Sequence, residues 1–198
     1  MIEIKNISKS FGKSKVLHDI SAKFERGKTN LIIGQSGSGK TVLLKCLLGL
    51  YSFDQGELIY DNVYSSKMND EEKMNIKKEM GMVFQGSALF DSLSVLENVR
   101  FPLDMLTNYS EKKKDEIALK FIERVNLNDA INKLPSEISG GMQKRVGIAR
   151  AIVLNPKYLF CDEPNSGLDP KTAIVIDNLI QEITKEYNIT TVINSHDM

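Results

Sequence analysis

Eight consecutive residues, GQSGSGKT from Gly34 to Thr41, restrict this chain more than any other feature. The pattern G-x-x-x-x-G-K-[ST] asks for a backbone that turns its N–H groups inward, followed by a helix whose positive end faces the same point. Gly34, Gly37 and Gly39 permit the turning, and Gln35, Ser36 and Ser38 complete the nest. Lys40 is set to reach the β- and γ-phosphates of a nucleotide, and the Thr41 hydroxyl to bind Mg²⁺. A flexible glycine loop with no ligand is the alternative. The short apolar strand Thr29 to Ile33 before it and the apolar run Val42 to Leu50 after it, read as a buried helix, argue against that.

Around this loop, period-two sets (Ile2, Ile4, Ile7; Ile20, Ala22, Phe24) predict strands with turns at Gly12 and at Glu25 to Lys28. Strands are also expected at Gly56 to Tyr60, Gly81 to Phe84, Tyr158 to Cys161 and Ile189 to Ile193. Helices are expected at Asp70 to Lys78, Val95 to Phe101 (stopping at Pro102), Ser110 to Val125, Gly140 to Leu154 and Thr172 to Tyr187. Strand and helix alternate at the chain's two ends while the middle is helical. That pattern predicts an α/β fold: a mainly parallel sheet with flanking helices, an antiparallel N-terminal flank and a helical insertion.

The length of 198 residues suits one domain. Charge is balanced at 26 Lys plus Arg against 26 Asp plus Glu, which removes the usual reason to expect nucleic acid as a partner. Cys46 and Cys161 sit in separate apolar runs and read as buried thiols; with His18 and His196 so distant, no zinc cluster is expected. No apolar run approaches 18 residues and the first residues are not a signal peptide, so a soluble, cytoplasmic chain is expected, reaching any membrane through a partner.

Two further segments carry chemistry. In YLFCDEP, Tyr158 to Pro164, an apolar strand ends in adjacent carboxylates. Asp162 is suited to hold Mg²⁺ and Glu163 to polarise a water that attacks the γ-phosphate; two solvated acids at a strand end are the plain alternative. In ISGGMQKR, Ser139 with Gly140 and Gly141 opens a long helix, either as an ordinary N-cap or as a second anion-binding terminus. One triphosphate rarely needs two such sites in one chain.

Taken together, these segments resemble the nucleotide-binding subunit of ATP-binding cassette (ABC) transporters over the whole length. GQSGSGKT looks like the Walker A motif, Gln85 in MVFQGS the Q-loop, ISGGMQ the signature, YLFCDE the Walker B motif, SGLD (Ser166 to Asp169) the D-loop and His196 the switch histidine. The fold implied is a P-loop NTPase: a RecA-like core at about 1–84 and 156–198, and a helical subdomain at about 85–155. The resemblance implies ATP and Mg²⁺ as cofactors, with Gly34 to Thr41 and Gln85 on the nucleotide and Thr41, Gln85 and Asp162 on the metal. It implies Glu163 as catalytic base, His196 on the γ-phosphate, and Phe11 stacking on adenine unless it is an ordinary strand residue. It also implies an ATP-bound homodimer in which Ser139, Gly140 and Gly141 touch the partner's γ-phosphate. Ile138, Asn165 and Gly167 depart from the usual leucine, threonine and alanine, and none removes a phosphate-contacting group. The chain stops two residues after His196, where the family normally continues, so a C-terminal truncation is expected.

Such subunits dock an integral-membrane permease, here expected near Gln85 to Phe101, and sit peripherally on the inner membrane. The apolar stretch Leu89, Phe90, Leu93, Val95, Leu96, Val99 and Phe101 is either that docking face or the core of the helical insertion. That apolar stretch and Met142, which stands where most amino-acid and sugar importers have glutamine, are both similar to the maintenance-of-lipid-asymmetry and Mce-associated ATPases. That implies phospholipid transport with lipid-binding partner proteins. The alternatives are another cargo (amino-acid or other solute import, lipoprotein release) or a soluble ABC ATPase.

Overall fold

The computed structural model describes residues 1–195. Two sheets organise them. β1 (Ile2–Phe11), β2 (Ser14–Phe24), β4 (Gln55–Tyr60) and β5 (Val63–Tyr64) form an antiparallel sheet in the order β2-β1-β4-β5. β3 (Thr29–Ile33), β6 (Met80–Val83), β7 (Tyr158–Asp162) and β8 (Thr190–Ser195) form a parallel sheet in the order β3-β8-β7-β6. The helices are α1 (Lys40–Leu47), α2 (Asp70–Lys78), α3 (Val95–Leu106), α4 (Glu111–Arg124), α5 (Gly140–Ile152) and α6 (Pro170–Glu186). This is the α/β arrangement with antiparallel flank and helical insertion that the sequence predicts.

β7 shows how the parallel sheet is sandwiched. Tyr158 and Phe160 join one core with α1 and the antiparallel sheet, while Leu159 and Cys161 join a second core with α3 to α6. A strand buried on both faces must read as an unbroken apolar run, as YLFC does. β1 departs from strict alternation in an informative way. Ile2, Ile4 and Ile7 are all buried although 4 and 7 differ by an odd number. A register shift lies between them and Asn6 adopts φ 56°, so a bulge returns Ile7 to the core face.

Several boundaries differ from expectation for local reasons. α1 ends at Leu47, not Leu50, because Gly49 turns left-handed and the Leu50 amide closes onto the Lys45 carbonyl at 2.9 Å. α3 does not stop at Pro102 but runs to Leu106. Proline removes one i→i−4 bond, while the Ser94–Glu97 capping box, buried Leu103 and the Thr107 hydroxyl on the Leu103 carbonyl hold the remainder. α6 starts two residues early, with Pro170 in its first turn and Asp169 as cap. β5 was not expected; Asp61 and Asn62, both at positive φ, make the tight hairpin that pairs it to β4. Among the described residues, no helix is long and apolar enough to cross a membrane.

Candidate functional site

The loop from Gly34 to Gly39 links β3 to α1. Gly39 is the N-cap residue of α1 at φ 93°, and no side chain caps the helix. A Cβ there would also press on Val16 and Leu17 at 3.0–3.2 Å, so position 39 needs glycine for conformation and for space. The uncapped first turn leaves its amides directed at the loop, an anion site by construction. Lys40 is buried, and its ammonium donates to the carbonyls of Gly34 at 2.7 Å and Gln35 at 3.1 Å. The loop is thus folded around its own cation.

At the tips of the adjoining strands, the Thr41 hydroxyl donates to Asp162 Oδ1 at 3.2 Å, and Asn194 Nδ2 donates to the same oxygen at 3.1 Å. Asn194 is fully buried and, among the described residues, its own Oδ1 has no hydrogen-bond partner. The sequence reading missed it, yet it is the polar end of an apolar strand, the same signal that exposed Asp162. Glu163 follows with φ 48°, an unusual backbone for a side chain of its size. Its amide donates to the Asn194 carbonyl at 3.1 Å and its carbonyl accepts from Ser166 at 3.1 Å, which hold the turn. Two hard oxygen donors, Thr41 and Asp162, meet beside a phosphate-sized nest. Among the described residues no group of three or more His, Cys, Asp or Glu is gathered. The residues therefore fit Mg²⁺ shared with nucleotide phosphates and water better than a dedicated metal cage.

The other predicted site residues have partners of their own. Gln85 is exposed and its Nε2 donates to Ser166 Oγ at 3.3 Å; its side chain is not bonded to Thr41 or Asp162. Ser139 caps α5, accepting from the Met142 amide at 3.3 Å, with Gly140 exposed beside it. Gly141 is buried, and a Cβ on it would meet Thr172 at 2.6 Å, so α5 and α6 approach closely there. Phe11 is exposed; its ring stands edge-on to Tyr51 at 5.6 Å, with Lys9 Nζ 5.2 Å from its centroid. Tyr51 is a second flat surface that sequence reading did not identify. His196 lies outside the described residues.

A groove of about 280 Å³ opens between β6, α3 and α5, lined by Phe84, Phe90, Phe101, Pro102, Leu106 and Arg150. The rings of Phe90 and Phe101 lie 4.6 Å apart. Val95 and Val99 of the same apolar stretch are buried in the helical core. Val95 and Val99 thus follow the core reading of that stretch, while Phe90 and Phe101 line the groove. Cys46 and Cys161 are free and buried, and burial pushes both thiols up.

Residues 17–166 match the protein-family model described as ABC transporter. The methionine import ATP-binding protein MetN of Clostridium tetani is 41% identical over the whole chain, which covers 62% of that protein. The intermembrane phospholipid transport system ATP-binding protein MlaF of Haemophilus influenzae is 37% identical, again over the whole chain and 75% of that protein. A solved structure described as the dimeric post-hydrolysis state of the ATP-binding cassette MJ0796, bound to ADP and Pi, superposes with a TM-score of 0.86 at 32% identity. It covers all of this chain and 88% of that one. The chain spans about three fifths of the length of the MetN proteins it matches.

Proposed function

We propose a function that starts from family membership: the chain belongs to the ABC transporter family of ATP-binding proteins. The reading is an ATPase that drives transport through a membrane permease. The observation that carries it is the meeting of the glycine nest, Lys40, Thr41 and Asp162 at the strand tips. When bound, MgATP supplies the transferable γ-phosphoryl group and the divalent charge that offsets its oxygens. The chain's own residues do the rest. The amides of Gly34 to Gly39 and the first turn of α1 receive the phosphates. Lys40 would turn from its loop carbonyls to a phosphate oxygen, Thr41 and Asp162 would hold the metal, and Gln85 is assigned to the metal and γ-phosphate. Glu163 orients water and takes its proton. His196 is assigned to the γ-phosphate, and Phe11, with Tyr51 beside it, to adenine.

The exposed Ser139 and Gly140 at the start of α5, a second anion-binding helix end in one chain, support a head-to-tail homodimer in which they and Gly141 meet the partner's nucleotide. The dimeric MJ0796 cassette is in keeping with this. The aromatic groove at Phe84, Phe90 and Phe101 supports docking of a permease, which would put the chain peripherally on a cytoplasmic membrane face. The finer reading of cargo is phospholipid, with lipid-binding partner proteins; Met142 and the MlaF relative support it. Solute import is the second reading, favoured by the MetN relatives.

The deciding experiment is ATP hydrolysis by the purified chain beside Lys40→Ala. Mg²⁺-dependent phosphate release, and loss of both release and ATP binding in the variant, are expected. Unchanged ATP affinity in Lys40→Ala would remove the loop from the reading. For cargo, the permease and its partners are reconstituted with the chain in vesicles. Phospholipid transfer on ATP addition supports the first reading, and uptake of an amino acid without lipid transfer supports the second.

A further inference from the structure

α5 carries more than Ser139. Along one flank, at steps of three residues, stand Lys144, Gly147 and Arg150. The Lys144 ammonium, almost wholly buried, donates to the backbone carbonyl of Gln85. The Arg150 guanidinium donates to the carbonyls of Ser87 at 2.7 Å and Ala88 at 2.8 Å. Between them the loop lies directly on Gly147, where an added Cβ would sit 3.5 Å from the Ser87 carbonyl oxygen. The segment so held is strained: Ser87 and Ala88 are consecutive non-glycine residues at φ 60° and 46°. Left-handed backbone of this kind persists only where its surroundings over-determine it.

Two cations on three carbonyls are that over-determination. Bonds from charged donors are about twice as strong as neutral ones, and more so away from water. Burial weakens the protonated form of Lys144, and the charge of Glu163 opposes that loss. The ammonium therefore sits in the field of the acid proposed as catalytic base while bonded to the loop that bears Gln85. It touches a backbone carbonyl, so its role is to position. With its backbone anchored, the Gln85 side chain extends outward to Ser166.

We propose that Lys144 is a positioning residue which, with Arg150, clamps the Gln85–Ala88 loop to α5. The loop and α5, which carries Ser139 as its cap, are thereby joined as one body. The proposal rests on the reading of Gln85 and Ser139 as nucleotide-contacting residues.

The test uses Lys144→Met, which removes the donor at similar length, and Lys144→Gln, which keeps a neutral donor. Amide hydrogen exchange of residues 84–88 is followed without nucleotide, beside steady-state ATP hydrolysis and thermal midpoints. In Lys144→Met, exchange at 84–88 should rise about 10-fold, and kcat should fall about 10-fold with KM for ATP within about 2-fold, the scale of one lost charge-assisted bond. Lys144→Gln should recover most of kcat. A kcat that follows the thermal midpoint in both variants, without rescue, would reduce Lys144 to a packing residue and overturn the proposal. Unchanged exchange at 84–88 in Lys144→Met would overturn it too. Absence of hydrolysis by the wild-type chain would instead defeat the ATPase reading, and exchange at 84–88 alone would then decide the clamp. If Lys144→Met does not fold, Arg150→Lys keeps a charge but loses the fork, and faster exchange confined to 87–88 is expected; no change there counts against the clamp.

Discussion

The Thr41 hydroxyl donates to the Asp162 carboxylate across 3.2 Å, joining residues 121 positions apart. Asn194 donates to the same oxygen, so Asp162 is held by two donors. The fold thus brings a hydroxyl and a carboxylate oxygen together beside the Gly34 to Gly39 loop.

Removing the hydroxyl should separate metal binding from nucleotide binding. Thr41→Val keeps the branched shape and loses the donor, whereas Thr41→Ser keeps it. In the valine variant the Mg²⁺ concentration for half-maximal hydrolysis should rise about 10-fold or more, with ATP affinity in EDTA within about 3-fold. Serine should behave as wild type. A Mg²⁺ titration at fixed ATP measures this, and coincident curves for wild type and valine would take Thr41 off the metal.

Glu163→Gln keeps side-chain length and the φ 48° turn while removing the basic oxygen. Turnover should fall by roughly 10² to 10⁴-fold. ATP should still bind, and the variant should run as a dimer on size exclusion when ATP is present. Undiminished phosphate release would show that another group takes the proton.

What the sequence displays depends on how local the physics is. GQSGSGKT is legible because nest, cation and hydroxyl lie within eight residues and their geometry follows from glycine and helix polarity. The parallel sheet is legible because strands covered on both faces read as apolar runs. Asn194 and Tyr51 were overlooked because each matters only through a neighbour far away in the chain: Asp162 for one, Phe11 for the other. The Lys144–Gln85 bond spans 59 residues and ends on a carbonyl, which carries no residue-type signature. Pro102 misled for the opposite reason. Its local rule is sound, but tertiary packing of Leu103 outweighed it.

Gly81 turns such a long-range contact into a stability test. In the sequence it is one residue of a short strand, GMVF. In the fold, a methyl at this position would lie 2.2 Å from the Ala151 carbonyl oxygen of α5, and a backbone atom cannot swing aside. Gly81→Ala should therefore cost about 3 kcal/mol, from overpacking. Gly86→Ala, which meets nothing within 4 Å, should change stability by less than about 0.5 kcal/mol. Urea unfolding of the two variants tests the pair; equal midpoints would mean that β6 and α5 are not packed at this distance.

The Asp169 cap gives a prediction with a pH sign. Its carboxylate accepts from the amides of Lys171 and Thr172 at 3.1 Å each and from the Thr172 hydroxyl. The hydroxyl bond contributes most to holding the carboxyl below the usual carboxylate range, with the two amides adding to it. A carboxyl whose folded pKa is depressed contributes stability that is present above its unfolded value, about 3.9, and is lost as pH falls through the folded value. Asp169→Ala should lower the thermal midpoint by about 2–4 °C at pH 7, the usual scale of a lost N-cap in a chain of this size. The gap should narrow as pH is lowered from 5 to 3. Asp169→Asn keeps the amide acceptor without the charge, so its midpoint should lie between the two at pH 7. It should meet wild type once the Asp169 carboxyl is protonated. Midpoints of the three proteins between pH 3 and 7 measure this; a wild-type-to-alanine gap constant across that range would show that the cap acts without its charge.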